Sequence, residues 1–244
     1  MAQVTDAIIL AHGQPSDPAP QQAVIEALAA AVGALAPGLR LRGATLAARG
    51  AIEAAAAGMV APLIYPFFMA EGFFTRREVP RRLDRAGVKH ARQLPPFGTE
   101  RDLAGLIEQA LSGADDVLLA GHGSQVSKTS TDTLEGVAAC LRASGRYRRV
   151  VTGYVEQAPR LEDAARDLGS GVCLPFFALS AGHVTDDLPE ALTLAGFRGP
   201  LLPPIGEHPG VPALIAASLT AAAEARRTVV GGATDQPTAK GPRP

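Results

Sequence analysis

Three of the five histidines stand at positions where a chemical role is expected. His12 and His122 each follow a short apolar run of the kind that forms a buried parallel strand. His183 precedes residues 185–195, which the sequence predicts to be a helix, and the positive end of a helix dipole disfavours a protonated imidazole. Because a neutral imidazole binds metals and accepts protons, these histidines predict metal or acid–base chemistry.

Glu156 is the carboxylate that completes this set. It follows the apolar run at 149–151, which is predicted to be the strand after the one that ends near His122. Two imidazoles and one carboxylate form an open ligand set for a divalent transition metal. The sequence therefore predicts a metal site at His122, Glu156 and His183, and we expect the same three residues to act in catalysis.

The same landmarks occur twice along the chain, in the same order and 108–110 residues apart. The matching pairs are His12 and His122, residues 65–68 and 174–177, Pro80 and Pro189, and residues 95–98 and 203–206. A repeat of this length corresponds to a domain. We predict a first half, residues 1–112, a second half, residues 113–230, and a disordered tail, residues 231–244, that is rich in Gly and Pro.

Each half has the order strand, loop, helix, which is typical of parallel βα units. The predicted fold class is therefore α/β, with two duplicated domains that each contain a small parallel sheet flanked by helices. Ligands of such sheets bind beyond the carboxyl ends of the strands. We expect the active site in the cleft between the two halves.

The repeat also allows the two halves to be compared with each other. By the spacing of the landmarks, Phe74 occupies the position of His183, and Leu46 approximately that of Glu156. Residues that serve only the fold would be expected in both halves. We therefore predict that the chemistry is centred in the second half and that the first half is a degenerate copy.

Composition excludes several classes of protein. The 244 residues are 47% hydrophobic and 19% charged, which excludes a disordered or fibrous chain. The formal charge of −1 provides no overall attraction to nucleic acid or to an anionic membrane, and no apolar run has the length of a membrane span. With two cysteines, no export signal and no nucleotide-binding glycine motif, we expect a cytoplasmic protein without an organic cofactor.

These residues carry a resemblance to a known family. The strand that ends at His122, together with residues 174–189 (LPFFALSAGHVTDDLP), resembles the class II chelatases. Residues 5–230 as a whole are similar to the long two-domain form of the sirohydrochlorin cobaltochelatase and ferrochelatase (CbiX-like) family. The resemblance implies insertion of Co²⁺ or Fe²⁺ into sirohydrochlorin, in siroheme or cobalamin biosynthesis. It makes His122 and His183 the metal-handling histidines and Glu156 their carboxylate. No cofactor beyond the divalent metal is implied, and the duplication makes a functional monomer possible.

The implied tetrapyrrole substrate is a flat macrocycle rimmed with carboxylates, so it requires local cationic and aromatic contacts. Arg76 and Arg77 begin a basic cluster that continues to Arg85, and they are predicted to bind those acids. Phe74 is predicted to lie against the macrocycle. His12 and Ser124, which both follow predicted strands, complete the predicted substrate contacts. The alternative for the arginines is a solvated helix face, and for Ser124 a helix cap.

Other functions are compatible with parts of the pattern. A non-catalytic carrier of metal or tetrapyrrole would keep the same fold and ligands. A histidine phosphatase or mutase requires an arginine beside its histidine, and Ala11 and Gly121 occupy that place. A serine hydrolase would use Ser124, but the segment 121–124 (GHGS) does not match the G-x-S-x-G nucleophile elbow.

Overall fold

Two parallel sheets, one in each half, form the framework of the protein. The computed structural model describes residues 4–125 and 127–232. The first half contains β1 (Thr5–Ala11), α1 (Pro18–Leu35), β2 (Leu39–Thr45), α2 (Ala51–Ala56), β3 (Leu63–Pro66), a π-helical turn (Phe74–Glu78), α3 (Val79–Arg85), β4 (Arg92–Gln93) and α4 (Leu103–Ala110). The second half contains β5 (Asp116–Gly121), α5 (Thr129–Ala143), β6 (Arg149–Tyr154), α6 (Leu161–Leu168), β7 (Val172–Pro175), a π-helical turn (His183–Asp187), α7 (Leu188–Leu194) and α8 (Val211–Gly232).

The two sheets share the order of three parallel strands, which confirms the predicted α/β fold with two duplicated units. The strand order is β2-β1-β3-β4 in the first sheet and β6-β5-β7 in the second, and every pairing is parallel. The central strands β1 and β5 have helices on both faces. For this reason residues 7–11 and 117–121 are apolar without alternation, and residues 7–11 and 116–121 are buried throughout.

Side chains of the central strand point alternately to the two faces of the sheet, as the pleat requires. In β1, Ile8 and Leu10 belong to a cluster with Ile52 and Leu83, residues of α2 and α3. Ile9, between them, belongs to a larger cluster that extends into the second half. One face of each sheet therefore forms a core within its own half, and the other face contributes to a core shared by both halves.

The last helix of the second half packs on the first half. Helix α8 contacts α1 and β3, and α4, at the equivalent place in the first half, contacts α5 of the second half. The carboxylate of Glu100 joins the halves at this point, because its Oε1 accepts hydrogen bonds from Tyr65 (3.0 Å) and from Ser218 of α8 (2.6 Å). Burial, and secondarily the charge of Glu100, raise the pKa of Tyr65, so its hydroxyl remains a donor.

The helical segments differ from the predictions at two places. The predicted helix at 185–195 begins earlier, with the π-helical turn that starts at His183, so this histidine lies within the first turn rather than before it. Helix α8 includes Gly231 and Gly232, the first two residues of the predicted tail, and residues 233–244 lie outside the described residues. Among the described helices, none has both the length and the apolar character that crossing a bilayer requires.

The packing of α8 on the first half should contribute to the stability of the whole chain. Leu219 is fully buried in α8 within the core shared by both halves, so Leu219→Ala should lower the free energy of unfolding by about 2–5 kcal/mol. Leu194→Ala, at a side chain that is 63% exposed, should change it by less than about 0.5 kcal/mol. Urea denaturation measures both values. Hydrogen exchange should also show faster exchange of the β3 amides in Leu219→Ala, and unchanged β3 protection would contradict the packing of α8 across the halves.

Candidate metal centre

His122 and Glu156 follow two adjacent strands at the same edge of the second sheet. Strand β5 ends at Gly121 and pairs with β6, which ends at Tyr154. The pairing continues past the strand ends, since the backbone N–H of Glu156 donates to the carbonyl of His122 (2.9 Å). The side chains then approach each other, with His122 Nδ1 3.7 Å from a carboxylate oxygen of Glu156.

Gly123 shapes the turn that presents His122. Its φ of +75° lies in the left-handed region, and a Cβ at this position would be 2.6 Å from Cγ of Gln157. The imidazole Nδ1 of His122 lies 2.9 Å from the Gly123 carbonyl. When Nδ1–H donates to that carbonyl, Nε2 carries the lone pair that a metal requires.

His183 reaches the site from the other neighbour of β5. Strand β7 pairs with the opposite side of β5, and the loop that follows it leads to His183 at the first position of the π-helical turn. The rings of His122 and His183 meet edge to face, with centroids 4.5 Å apart and an interplanar angle of 87°. The central position of β5 is therefore what brings the three residues together.

The three side chains have the geometry of an open metal site. One ligand atom from each of His122, Glu156 and His183 can be chosen so that all lie within 4.8 Å of one another, and no second group of this kind occurs among residues 4–125 and 127–232. Their side chains are 43%, 47% and 40% exposed, so the site is accessible from solvent. Two nitrogens and one carboxylate suit Co²⁺, Fe²⁺ and similar ions, and an accessible site allows an ion to enter and leave.

Asp187 is a member of the site that the sequence analysis did not identify. Its carboxylate accepts a hydrogen bond from His183 Nδ1 (2.5 Å), which leaves Nε2 of that ring for a ligand. Carboxylates commonly orient metal-binding histidines in this way. Residues i and i+4 lie on one helix face, but the predicted helix began at residue 185, after His183, so the four-residue spacing of this pair gave no signal.

A cleft between the two halves opens on these histidines. It encloses about 400 Å³ and is lined by His122 and His183 from the second half and by His12 and Phe74 from the first. Most of the remaining lining is apolar, including Phe67, Phe68 and Leu179. The cleft therefore offers a mostly apolar surface to a ligand that contacts both halves.

The first half repeats the geometry of the second but lacks its ligands. His12 packs edge to face on Phe74, with centroids 4.4 Å apart and an interplanar angle of 84°. This arrangement matches that of His122 and His183, and Phe74 also begins a π-helical turn. Phe74 therefore occupies the position of His183, as the repeat predicts, but its ring offers no ligand atom.

The predicted counterpart of Glu156 is wrong by one residue. The backbone N–H that donates to the carbonyl of His12 belongs to Ala47, not to Leu46, and the equivalent donor in the second half is Glu156. The error comes from aligning Gly43 with Gly153. A Cβ at Gly43 would meet the carbonyl of Ile25 in α1, whereas a Cβ at Gly153 would meet Leu161 in α6, so these glycines face opposite sides of their sheets.

The predicted substrate contacts lie in different surroundings. His12 and Phe74 line the cleft. Arg76 and Arg77 are exposed and are not among the residues that line it, and Arg76 is paired with Glu71 at 2.7 Å. Ser124 accepts a hydrogen bond through Oγ from the backbone of Ser127 (3.1 Å) in the loop before α5, so it has a structural contact there.

Comparison with known proteins gives a consistent result. The CbiX family model matches residues 116–222. A solved structure described as CbiX, the terminal enzyme for biosynthesis of siroheme in denitrifying bacteria, is 47% identical and has a TM-score of 0.81, and the match covers 89% of this chain and 99% of that one. The chain belongs to the CbiX-like class II chelatase family.

More distant relatives agree with this CbiX-like assignment. SirB from Bacillus subtilis, in a structure with Fe³⁺, is 16% identical, with a TM-score of 0.71 over 88% of this chain and 94% of that one, and shows the shared fold. A probable sirohydrochlorin cobaltochelatase from Halobacterium salinarum is 25% identical over 161 residues, or 52% of this chain. The matched region is 55% of that relative, so this chain spans about half the length of the curated protein it matches.

The contact between Asp187 and His183 should affect metal binding. Asp187→Asn removes the carboxylate that orients His183, so the dissociation constant for Co²⁺ should rise by about 10–100-fold. Glu78→Gln is the matched control, because Glu78 holds the equivalent position in the first half and pairs with Arg81 instead of a histidine. Calorimetric titration of Co²⁺ under anaerobic conditions measures both. Equal affinity in wild type and Asp187→Asn would contradict the role of Asp187.

The first half should gain a metal site when the missing ligands are restored. Ala47→Glu combined with Phe74→His places the three ligand types at the positions that correspond to His122, Glu156 and His183. We expect this variant to bind two Co²⁺ ions per chain by equilibrium dialysis, against one for the wild type. Leu46→Glu with Phe74→His is the control and should bind one, because Leu46 is buried. If the Leu46→Glu control bound two ions and the Ala47→Glu variant bound one, Leu46 and not Ala47 would be the equivalent of Glu156.

Proposed function

We propose that this chain inserts a divalent metal ion, Co²⁺ or Fe²⁺, into sirohydrochlorin. The observation that carries the proposal is the cluster of His122, Glu156 and His183, two of whose members, His122 and His183, line a cleft between the two halves. Family membership supports the same reaction, because relatives in this family are described as CbiX of siroheme biosynthesis and as a probable sirohydrochlorin cobaltochelatase.

The reaction requires groups that bind an ion and groups that accept protons. The macrocycle loses two pyrrole N–H protons, the ion enters as M²⁺, and two protons are released for each metal inserted. His183, oriented by Asp187, presents Nε2 to the ion, and Glu156 supplies a negatively charged oxygen. Nε2 of His122 is placed to accept a proton or to bind the same ion.

The exposure of the ligands fits a metal that is a substrate. A structural metal site is closed by four protein ligands, whereas these three side chains are each at least 40% exposed. An ion held by so few protein ligands keeps positions for water and can be transferred to the four nitrogens of a macrocycle. We propose that the pyrrole nitrogens replace the protein ligands one after another.

The first half supplies the opposite wall of the cleft. Phe74 is 40% exposed there and stacks on Phe68, with centroids 6.3 Å apart and an interplanar angle of 19°. An exposed aromatic surface of this kind is stabilised by a flat ligand that covers it. His12, beside Phe74, is the imidazole of the first half that would contact the macrocycle.

The decisive experiment measures insertion directly. Purified protein is mixed anaerobically with sirohydrochlorin and Co²⁺ or Fe²⁺, and absorbance follows the metallated product. His183→Ala should lower the insertion rate by about 100-fold or more. Phe74→Ala, the equivalent position in the first half, should raise the KM for sirohydrochlorin and retain metal binding.

The same measurement separates the enzyme from a carrier. Saturable binding of sirohydrochlorin or of metal by the wild type, with insertion no faster than in buffer, would overturn the chelatase proposal and support a non-catalytic carrier. The ratio of the Co²⁺ and Fe²⁺ rates gives the metal preference and thereby the product.

A further inference from the structure

Each half contains a second cavity beside its π-helical turn, and the two cavities are structural equivalents. The one in the first half encloses about 390 Å³ and includes Ile52, Glu53 and Glu78 in its lining. The one in the second half encloses about 230 Å³ and includes Leu161, Glu162 and Asp187, which are the residues 109 positions later. The two cavities therefore occupy the same place in the fold, and their lining residues can be compared position by position.

The charge of the two cavities has opposite sign. The first-half cavity is lined by Arg49, Arg82 and Arg85 against two glutamates, a formal charge of +1. The second-half cavity is lined by one arginine, Arg160, against three carboxylates, Glu162, Asp187 and Glu190, a formal charge of −2. Arg82 and Arg85 stand where the second half has Ala191 and Leu194, so the difference comes mainly from two introduced guanidinium groups.

Arg82, which lines this cavity, has a hydrogen-bond donor without an acceptor. Its Nε is buried, and no acceptor lies within hydrogen-bond distance in the part of the chain that the structure describes. The nearest carboxylate, that of Glu78, is 3.7 Å away and accepts from Arg81 at 2.6 Å. A buried donor without an acceptor is unfavourable, and the Arg82 side chain as a whole is 42% exposed, so its guanidinium group can turn toward an acceptor that a ligand brings into the cavity.

The positive character of this wall also affects Glu78. The hydrogen bond from Arg81, and then the charges of Arg81, Arg82 and Arg85, lower the pKa of the Glu78 carboxyl. Glu78 therefore stays ionised and pairs with Arg81 at 2.6 Å and with Arg82 at 3.7 Å, and the residues that line the cavity keep a formal charge of +1.

The first-half cavity extends to the cleft, whereas its counterpart does not. His12 and Phe74 line both the cavity and the cleft, but neither His122 nor His183 lines the second-half cavity. Ala47, which stands where the second half has Glu156, is part of the cavity lining. Ala47 carries only a methyl group at this position, beside the residues that the cavity shares with the cleft, His12 and Phe74.

We infer that the first-half cavity is a carboxylate-binding subsite, which receives one carboxylate arm of the tetrapyrrole that occupies the cleft. Arg82 and Arg85 are the specificity-determining residues, because guanidinium groups bind carboxylates in paired, charge-assisted hydrogen bonds. The inference rests on the proposed function. It also assigns the recognition of substrate acids to Arg82 and Arg85 instead of Arg76 and Arg77.

The test uses binding of the macrocycle without metal, so that it does not depend on turnover. Metal-free sirohydrochlorin is titrated anaerobically into wild type, Arg82→Gln/Arg85→Gln and Arg76→Gln, and the absorbance change gives each dissociation constant. We expect a rise of about tenfold or more in the double variant and no change in Arg76→Gln. Co²⁺ affinity should be the same in all three proteins, because the metal ligands belong to the second half.

A charge-preserving variant and a competing anion distinguish the subsite from misfolding and from a site for free anions. Arg82→Lys/Arg85→Lys keeps the positive charge and should bind sirohydrochlorin more tightly than Arg82→Gln/Arg85→Gln. A loss of affinity that came only from misfolding would not be recovered in this way. Succinate, used as a free carboxylate probe, should compete with sirohydrochlorin in the wild type more strongly than in the Gln double variant. Loss of succinate binding in that variant with unchanged sirohydrochlorin affinity would overturn the inference and indicate a site for a free anion.

Failure of the inference and failure of the proposed function give different results. If the wild type binds and metallates sirohydrochlorin but the Gln double variant binds it equally well, the subsite is wrong and the chelatase proposal stands. If the wild type itself does not bind sirohydrochlorin, both are overturned.

Discussion

The metal centre depends on the position of β5 between β6 and β7. In a parallel sheet all strands end at the same edge, so a central strand has the loops of both neighbours beside its carboxyl end. His122, Glu156 and His183 come from these three loops and meet although they are separated by up to 61 residues in sequence. The pairing of β5 with both neighbours fixes the distances among the ligand atoms before any metal binds.

The two halves show how one scaffold can carry two different sites. The central strand, the following His-Gly turn and the π-helical turn are the same in both halves. What differs is the chemistry of a few side chains: Ala47 and Phe74 remove the ligands, and Arg82 and Arg85 add positive charge. Because these side chains lie at loops and helix surfaces, they can change with little effect on the buried strands that maintain the fold.

The cleft also depends on how firmly the halves are joined. Helix α4 of the first half packs on the second half, and helix α8 of the second half packs on the first. Glu100 also links Tyr65 to Ser218 across the boundary. The shared core includes residues of β1, β5 and α8. A joint of this kind fixes the separation of His12 and Phe74 from His122 and His183, and therefore the width available to a ligand.

The sequence by itself determined the duplication, the α/β class and the choice of His122, Glu156 and His183 as a candidate metal set. These features depend on local patterns: apolar runs, landmark spacing and residue types that bind metals. The sequence also identified Phe74 correctly as the first-half equivalent of His183, because both follow the same Pro-Phe-Phe landmark at the same distance.

Only the tertiary structure decided the features that depend on strand register and on contacts between distant segments. A shift of one residue in β2 reverses the face of every side chain, and aligning Gly43 with Gly153 introduced that shift, so Leu46 was matched to Glu156 in place of Ala47. The packing of α8 on the first half, the contact of Asp187 with His183 and the convergence of Arg82 and Arg85 on one cavity likewise depend on the fold. Their physical cause is the same: side chains meet where the sheets and helices direct them, and sequence spacing alone does not fix that direction.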